Sequence, residues 1–387
     1  MGRVRARIKP ELLVWARDSI GLSPEQAAKK IGVKLERLSQ WEAGEGSPTI
    51  PQLRTVAGVY KRPLAVFYLP APPRDFDALK DFRRLPGQVH TEYSPELNLA
   101  IRRAHMRREI ALELYQDLGE APPQAPRISR YRGGSDDLAV KGRHFLGVGL
   151  QEQFGWRDKY KALSGWVSAM ENNGVLVFHA RDIDLGEMRA FSIDLRPLPV
   201  VVLNASDAHL GRVFSLMHEF CHILQGTGGL CDFHENPSDH STEQQAEVFC
   251  NQFAASLLVP GDAFLREEAV VRTRDAESWT DSEIRQLANK YSVSSEVILR
   301  RLLTVGKTTQ RFYEGKRNQL LESYRRLGER EQSGFPPFHR VVVRDLGKAY
   351  VRLVLEAYYR EAIHSGDLSD YLGVNLKHIP DIEHDLV

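Results

Sequence analysis

The chain has 387 residues, and its charges nearly cancel, with 52 Lys and Arg against 51 Asp and Glu. This length and mixed composition are typical of a soluble globular protein with two or three domains. No apolar run approaches the roughly 20 residues that span a bilayer, the N-terminus lacks the apolar stretch of a signal peptide, and three cysteines are too few for a disulfide framework. We therefore expect a cytoplasmic protein with no membrane partner.

The first 74 residues are basic, with 13 Lys and Arg against 6 Asp and Glu, which favours a nucleic-acid surface. Amphipathic periodicity, cap residues and prolines predict five short helices in this part of the chain. They cover residues 10–20, 23–31, 34–43, 48–60 and 63–69. The second and third are joined by a tight turn at Gly32-Val33, so together they form a helix-turn-helix within an all-α bundle.

Two stretches of this region, Gly21–Val33 and Trp41-Glu42-x-Gly44, resemble the XRE (Cro/repressor) family of DNA-binding domains. The resemblance covers about residues 8–70 and implies that four side chains face the major groove of an operator. These are Lys34, Glu36, Arg37 and Gln40.

Within that set, Gln40 can pair with an adenine edge through two hydrogen bonds, and Arg37 with guanine or a phosphate. Solvation is the alternative for Lys34 and Arg37, and it is favoured for Glu36 because phosphates repel a carboxylate. We expect Trp41 to pack in the bundle core. Double-stranded DNA is the expected partner, and docking of a protein is the alternative use of such a fold.

The middle of the chain is predicted to be an α+β domain of the zincin-like type. After a linker and a connecting helix over 94–118, the pattern predicts two helices and three strands. The helices cover 136–147 and 156–172, and the strands lie near 174–180, 188–194 and 198–204. We expect a short antiparallel sheet whose exposed edge beside a metal can take an extended peptide as an added strand. The rest of the chain is predicted to be helical, with helix-turn-helix patterns over 281–304 and 344–383.

The sequence His218-Glu219-Phe-Cys-His222 has the H-E-x-x-H spacing and lies in an apolar run that predicts a helix. On a helix the two histidines lie one turn apart on the same face, so both can bind one metal ion. Zinc in such a site lowers the pKa of a water to about 7, and Glu219 can accept its proton as it attacks a carbonyl. An amide bond is the natural target, and chance occurrence of the pattern is the alternative.

Two histidines leave a catalytic zinc ion one protein ligand short. The downstream candidates are His234, His240, Glu243 and Glu247. Glu247 is the first choice because it begins an apolar helix ended by Pro260, where an unpaired carboxylate is costly to bury. Glu243 is the second choice, with a solvated carboxylate in the first turn as its alternative. The two histidines lie in a Gly/Pro/Asn/Ser-rich loop, which weakens them as ligands.

Two blocks of sequence resemble the ImmA/IrrE family of metallo-endopeptidases. The first is Arg212–Leu224, and the second is Glu247-x-x-x-Asn251-x-Phe-Ala-Ala-x-Leu-Leu-x-Pro260. The resemblance covers roughly residues 125–262, and Cys250 is a departure where the family often has Ala. The resemblance implies that His218, His222 and Glu247 bind zinc and that Glu219 is the base. It also implies that the target is a helix-turn-helix repressor in a bacterial stress or mobile-element circuit.

We therefore expect four regions, a DNA-binding domain, a linker with a connecting helix, a peptidase domain and a helical C-terminal region. Their predicted bounds are 1–74, 75–125, 126–262 and 263–387. The favoured function is a DNA-bound regulator that hydrolyses a repressor or another partner protein, with a homodimer as one arrangement. The alternative is a regulator or antitoxin without proteolysis, in which the peptidase fold senses a ligand or binds a toxin. An intact Glu219 favours the first, because a structural zinc site needs no base.

Overall fold

The computed structural model describes most of the chain. The described residues are 5–6, 8–72, 93–128, 131–226, 242–273, 275–328 and 337–386, with the backbone alone described for 242–244, 321 and 323–328. Two of the candidate ligands, His234 and His240, therefore lie outside the described residues, as does the side chain of Glu243. The chain divides into two compact units, residues 1–105 and 106–387.

The first unit contains the predicted helical bundle. Its elements are α1 (Pro10–Asp18), α2 (Pro24–Ile31), α3 (Leu35–Glu42), α4 (Ile50–Val59) and the 3-10 helix Leu64–Tyr68. The Ser23 side chain accepts a hydrogen bond from the backbone of Gln26, whose own side chain returns one, so a capping box starts α2. Gly32 ends α2 with a left-handed φ of 79°, a conformation that glycine adopts without strain. The predicted helix-turn-helix is thus confirmed.

A single apolar cluster holds these helices together. Trp41 is 2% exposed and packs in this core, as predicted, together with Leu38 from the same helix. The burial of these two side chains fixes which face of α3 is turned outward, because residues three and four positions apart share one face of a helix.

The second unit contains the predicted sheet with helices around it. The boundary between the units falls after His105, within α5 (Pro95–Asp117). The elements that follow are α6 (Ser135–Leu146), α7 (Leu150–Gly155), α8 (Lys159–Asn172), β1 (Leu176–Ala180), β2 (Ala190–Ile193), β3 (Val200–Asn204), α9 (His209–Gln225) and α10 (Thr242–Leu258). The helix α7 was not predicted, and the single helix expected over 156–172 begins at Lys159, where the Asp158 side chain caps it.

The expectation of an antiparallel sheet is wrong. The strand order is β1-β3-β2, with β1 parallel to β3 and β2 antiparallel to it, so the sheet is mixed. In the register, Phe178 and Phe191 both stand opposite Val202. All residues of the three strands except Ala180 are buried, because helices cover the sheet. Strands buried on both faces are apolar throughout, so their sequences carry no alternation that would reveal their direction.

The remainder of the second unit is helical, as predicted. Its helices are α11 (Gly261–Phe264), α12 (Glu268–Arg272), α13 (Asp281–Tyr291), α14 (Ser295–Thr304), α15 (Gln310–Gly328), α16 (Phe338–Leu346), α17 (Lys348–Tyr359), α18 (Ser365–Leu372) and α19 (Ile379–His384), with a 3-10 turn at Leu376–His378. Thr280 caps α13 in a capping box, and Ser294 caps α14. No described helix combines the length and the apolarity that crossing a bilayer requires.

Candidate metal centre and DNA-binding surface

The helix α9 carries the H-E-x-x-H residues through the middle of the second unit. It packs against α8, α10 and the strands β2 and β3, and from Arg212 to Leu224 only Phe214 is not fully buried. Gly226 ends the helix in a left-handed conformation, with a φ of 72°. His218 and His222 are 0% and 3% exposed. The two imidazoles are thereby held one helical turn apart, and the packing around the helix restricts the rotation of both rings.

The neighbouring helix α10 brings a carboxylate to these histidines. The Nε2 atom of His218 lies 3.1 Å from Glu247 Oε2 and 3.1 Å from His222 Nε2, and His222 Nε2 lies 3.4 Å from Glu247 Oε1. A tetrahedral zinc ion with bonds of about 2.0–2.1 Å places its ligand atoms about 3.3 Å apart. The three groups are therefore close enough to share one metal ion, and one nitrogen or oxygen atom from each lies within 4.8 Å of the others.

The charges of the three groups are strongly coupled. Burial raises the pKa of Glu247, but the hydrogen bonds to His218 and His222 outweigh it, so the pKa of this carboxyl lies far below its ordinary value. Burial lowers the pKa of His222, yet the hydrogen bond to Glu247 and the charge of Glu219 leave it raised overall. Glu247 is ionised at neutral pH, as a metal ligand must be.

Glu219 lies on the same helix and is fully buried. Neither of its carboxylate oxygens has a regular hydrogen-bond partner among the described residues. Burial raises its pKa above the ordinary value, and the nearby His222, His218 and Ser192 offset only part of that rise. Ser192 is thus within reach of this carboxylate, but no described group makes a hydrogen bond of regular geometry to it. A buried carboxylate so weakly satisfied is costly, and such groups persist where a bound ligand or a reaction uses them.

Asn251 is a part of the site to which the sequence analysis gave no role. It lies one turn after Glu247 on α10, is 7% exposed, and its Oδ1 atom is 3.2 Å from His218 Nδ1. An acceptor at this place holds the proton on Nδ1 and leaves the Nε2 lone pair free for a metal ion. The four-residue spacing from Glu247 is the signal that could have identified it.

The four predicted DNA contacts all lie on the outer face of the first unit. Lys34, at the start of α3, and Glu36, Arg37 and Gln40 within it are exposed. Ser39 is exposed on the same helix and was not predicted. The outward face of α3 therefore presents short and long polar side chains that could contact a groove.

An ion pair fixes the end of this helix against α1. Arg17 donates from Nε to Glu42 Oε1 at 2.8 Å and from Nη2 to Oε2 at 3.2 Å, and its Nη1 donates to the carbonyl of Leu22 at 2.9 Å. Both side chains of the pair are nearly buried, at 11% and 12% exposure. A two-pronged contact of this kind sets orientation as well as distance.

The fold and the two sites define a class of protein, one in which a helix-turn-helix module is joined to a metallopeptidase-like domain. Family models identify both parts. The helix-turn-helix model matches residues 13–67, and the model of the IrrE N-terminal-like domain, peptidase family M78, matches residues 171–303. Comparison with curated proteins and with solved structures gives no match. The predicted fusion of an XRE-type domain with an ImmA/IrrE-type domain is confirmed, and the chain combines a DNA-binding module with a domain of a metallopeptidase family.

Proposed function

We propose that the chain is a DNA-bound regulator whose second unit is a zinc-dependent endopeptidase that hydrolyses a regulatory protein. The proposal rests on the arrangement around α9. The two histidine Nε2 atoms lie 3.1 Å apart, each lies 3.1–3.4 Å from one oxygen of the Glu247 carboxylate, and the buried Glu219 is on the same helix. Among the described residues, three groups and no fourth come together at this point. Three ligands and an adjacent base are typical of a catalytic zinc site, whereas a structural site is closed by four protein ligands. The proposed DNA contacts are Lys34, Glu36, Arg37 and Gln40.

His218, His222 and Glu247 would hold the zinc ion, and zinc when bound supplies Lewis-acid activation of water. Glu219 would accept the proton of the attacking water at a carboxylate oxygen and return it to the amide nitrogen that leaves. Asn251 would keep His218 in the required tautomer.

A substrate backbone would add at the outer edge of β2, whose four residues are buried, so this edge would have to be uncovered first. Among the described strands β2 pairs with β3 only, so its outer edge carries backbone groups that no other described strand uses. Ser192 lies on β2 close to Glu219. A peptide added to this edge as a further strand would therefore pass the proposed base, which supports a target cut within an extended segment.

The experiment is the substitution Glu219→Gln, which keeps the shape and volume of the side chain but removes the proton acceptor. New protein N-termini are compared by mass spectrometry in cells that carry the wild type, Glu219→Gln, or the exposed control Glu268→Gln. Loss of a general base costs about 10²–10⁴-fold in rate, so cleavage products should disappear in the first variant only.

Zinc content, DNA binding and melting temperature of Glu219→Gln should stay near those of the wild type. If the variant retains zinc and yields the same N-termini as the wild type, hydrolysis is not the function. The peptidase fold would then serve as a ligand sensor or as a surface that binds a partner such as a toxin.

A further inference from the structure

A second cavity lies in the second unit, at the opposite end of the buried helix α9 from His222. It has a volume of about 420 Å³ and is enclosed by α8, β1, the first turn of α9 and the C-terminal helices α16 and α17. That volume lies in the range of pockets for small molecules, about 300–1,000 Å³. None of the residues proposed above to bind metal, substrate or DNA lines it.

Arg212 is the unusual feature of this cavity. Its side chain lines the cavity and is 1% exposed, yet its Nε and Nη1 atoms have no hydrogen-bond partner within the described part of the chain. A buried guanidinium is normally paired with an anion, because removing a charge from water is costly unless the charge is compensated. Burial lowers the pKa of Arg212 only to about 10, so the group stays charged at neutral pH.

The carboxylates of Asp207 and Asp345 attract Arg212, but among the described residues neither forms an ion pair with it. Arg344 is paired with Asp345 at 2.7 Å, and Arg340 lies 3.5 Å from Asp385. The carboxylate nearest the wall formed by α17 is Glu171. Its Oε2 atom accepts a hydrogen bond from the backbone of Ala349 at 3.2 Å, and burial raises its pKa to about 7.

Two histidines in the lining respond to the same positive potential. Burial, followed by the charges of Arg212 and Arg344, lowers the pKa of His179 to about 3. Burial and the charge of Arg212 lower the pKa of His209 to about 4. Both rings are thus neutral at physiological pH and can donate or accept hydrogen bonds without adding charge. The cavity therefore combines a buried arginine, two of whose nitrogen atoms have no hydrogen-bond partner among the described residues, with two neutral imidazoles.

The remaining lining is largely apolar, with Leu163 and Val167 from α8 and Val343 from α16. We propose that this cavity binds a small organic anion whose carboxylate or phosphate group pairs with Arg212 and whose apolar body contacts Leu163, Val167 and Val343. Carboxylate and phosphate share the geometry that a guanidinium recognises through two parallel hydrogen bonds. The site is separate from the proposed metal centre and does not depend on proteolysis.

The test uses the full chain and four probes, measured by titration calorimetry and by thermal melting. Benzoate and phenyl phosphate carry the two anionic groups on an apolar ring, benzamide has the shape of benzoate without its charge, and inorganic phosphate has no apolar part. We expect benzoate or phenyl phosphate to bind at least tenfold more tightly than benzamide, and the ring-bearing anion to bind more tightly than inorganic phosphate. Equal binding of benzoate, phenyl phosphate and benzamide would overturn the proposal.

Two variants test whether the anion binds in this cavity. Arg212→Gln should reduce anion affinity at least tenfold, and Val167→Phe should do so by filling the cavity while Arg212 stays intact. The exposed Arg266→Gln is the matched control and should bind as the wild type does. All three variants keep His218, His222 and Glu247, so an anion that bound at the metal centre would bind them equally, and that result would refute the assignment.

Arg212→Gln has a second signature, which a merely structural arginine would not give. Because it removes a buried charge that lacks a contacting counterion, its melting temperature without anion should equal or exceed that of the wild type. The rise in melting temperature on adding phenyl phosphate should be lost at the same time. If the variant melts at a lower temperature without anion, yet shows the same rise in melting temperature with phenyl phosphate as the wild type, Arg212 stabilises the fold and does not bind the anion.

Discussion

Replacing Asn251 tests how the metal centre is prepared, at a residue that would not itself touch the metal. The substitution Asn251→Ala removes the acceptor that lies 3.2 Å from His218 Nδ1. When Nε2 of His218 binds zinc, Nδ1 must carry the proton, and in the variant this N–H would be buried without a partner. In the metal-free variant the ring can adopt the other tautomer, with its proton on Nε2. Nδ1 then carries no N–H group that needs an acceptor. The penalty therefore falls mainly on the metal-bound state.

A buried donor left without a partner costs about 1–3 kcal/mol, and loss of an acceptor behind a metal ligand typically weakens metal binding about 10–100-fold. The two estimates agree, since a tenfold change corresponds to about 1.4 kcal/mol. Zinc affinity is measured by competition with a chromophoric chelator. Asn251→Asp is the matched control, because it keeps an acceptor at the same position and should retain wild-type affinity or better.

The metal-free forms of both variants are melted as well, to separate zinc affinity from general stability. The reasoning would be refuted by wild-type zinc affinity in Asn251→Ala, or by equal weakening in the alanine and aspartate variants. The first result would mean that burial of the ring alone fixes His218. The second would mean that the shape of the asparagine amide, and not its acceptor, matters.

Two further predictions concern the proposed metal and DNA contacts. Glu247→Gln should lower the zinc content sharply, while Glu243→Gln, one turn earlier on the same helix, should keep it. Metal analysis of the purified proteins measures both. Full zinc occupancy in Glu247→Gln would remove Glu247 from the ligand set. Gln40→Ala should cost about 1–3 kcal/mol of discrimination at one base pair, and Arg37→Ala should weaken binding, in titrations of operator DNA from upstream of its own gene. Unchanged affinity and specificity in both variants would mean that the first unit docks a protein.

Local sequence signals predicted most of the helices, because each leaves a mark that needs no knowledge of the fold. Ser23 and Gln26 form a capping box, and Gly32 supplies the left-handed residue that ends α2. The spacing of His218 and His222 likewise follows from the helical repeat alone. These features could be predicted because the physical cause lies within four or five residues of its effect.

Features that depend on tertiary packing could not be predicted in the same way. The direction of β1 relative to β3 is set by the path of the chain between them, and their uniformly buried residues carry no record of it. The contact between Asn251 and His218 joins two helices, so only the packed structure reveals it. The lack of hydrogen-bond partners at two nitrogen atoms of Arg212 depends on which groups the fold places around that side chain. The sequence does not record these neighbours.

The proposed metal ligands lie on two different helices, and this placement bears on the stability of the whole second unit. In sequence, 25 positions separate His222 on α9 from Glu247 on α10. An ion held by both helices would bind the folded chain and not the unfolded one, so its binding free energy would add to the stability of the fold. Because α10 also packs against α6 and α14, removal of the ion would loosen the contact at the centre of this unit. If the site holds zinc as proposed, the lifetime of the protein against unfolding and degradation would follow the supply of that metal.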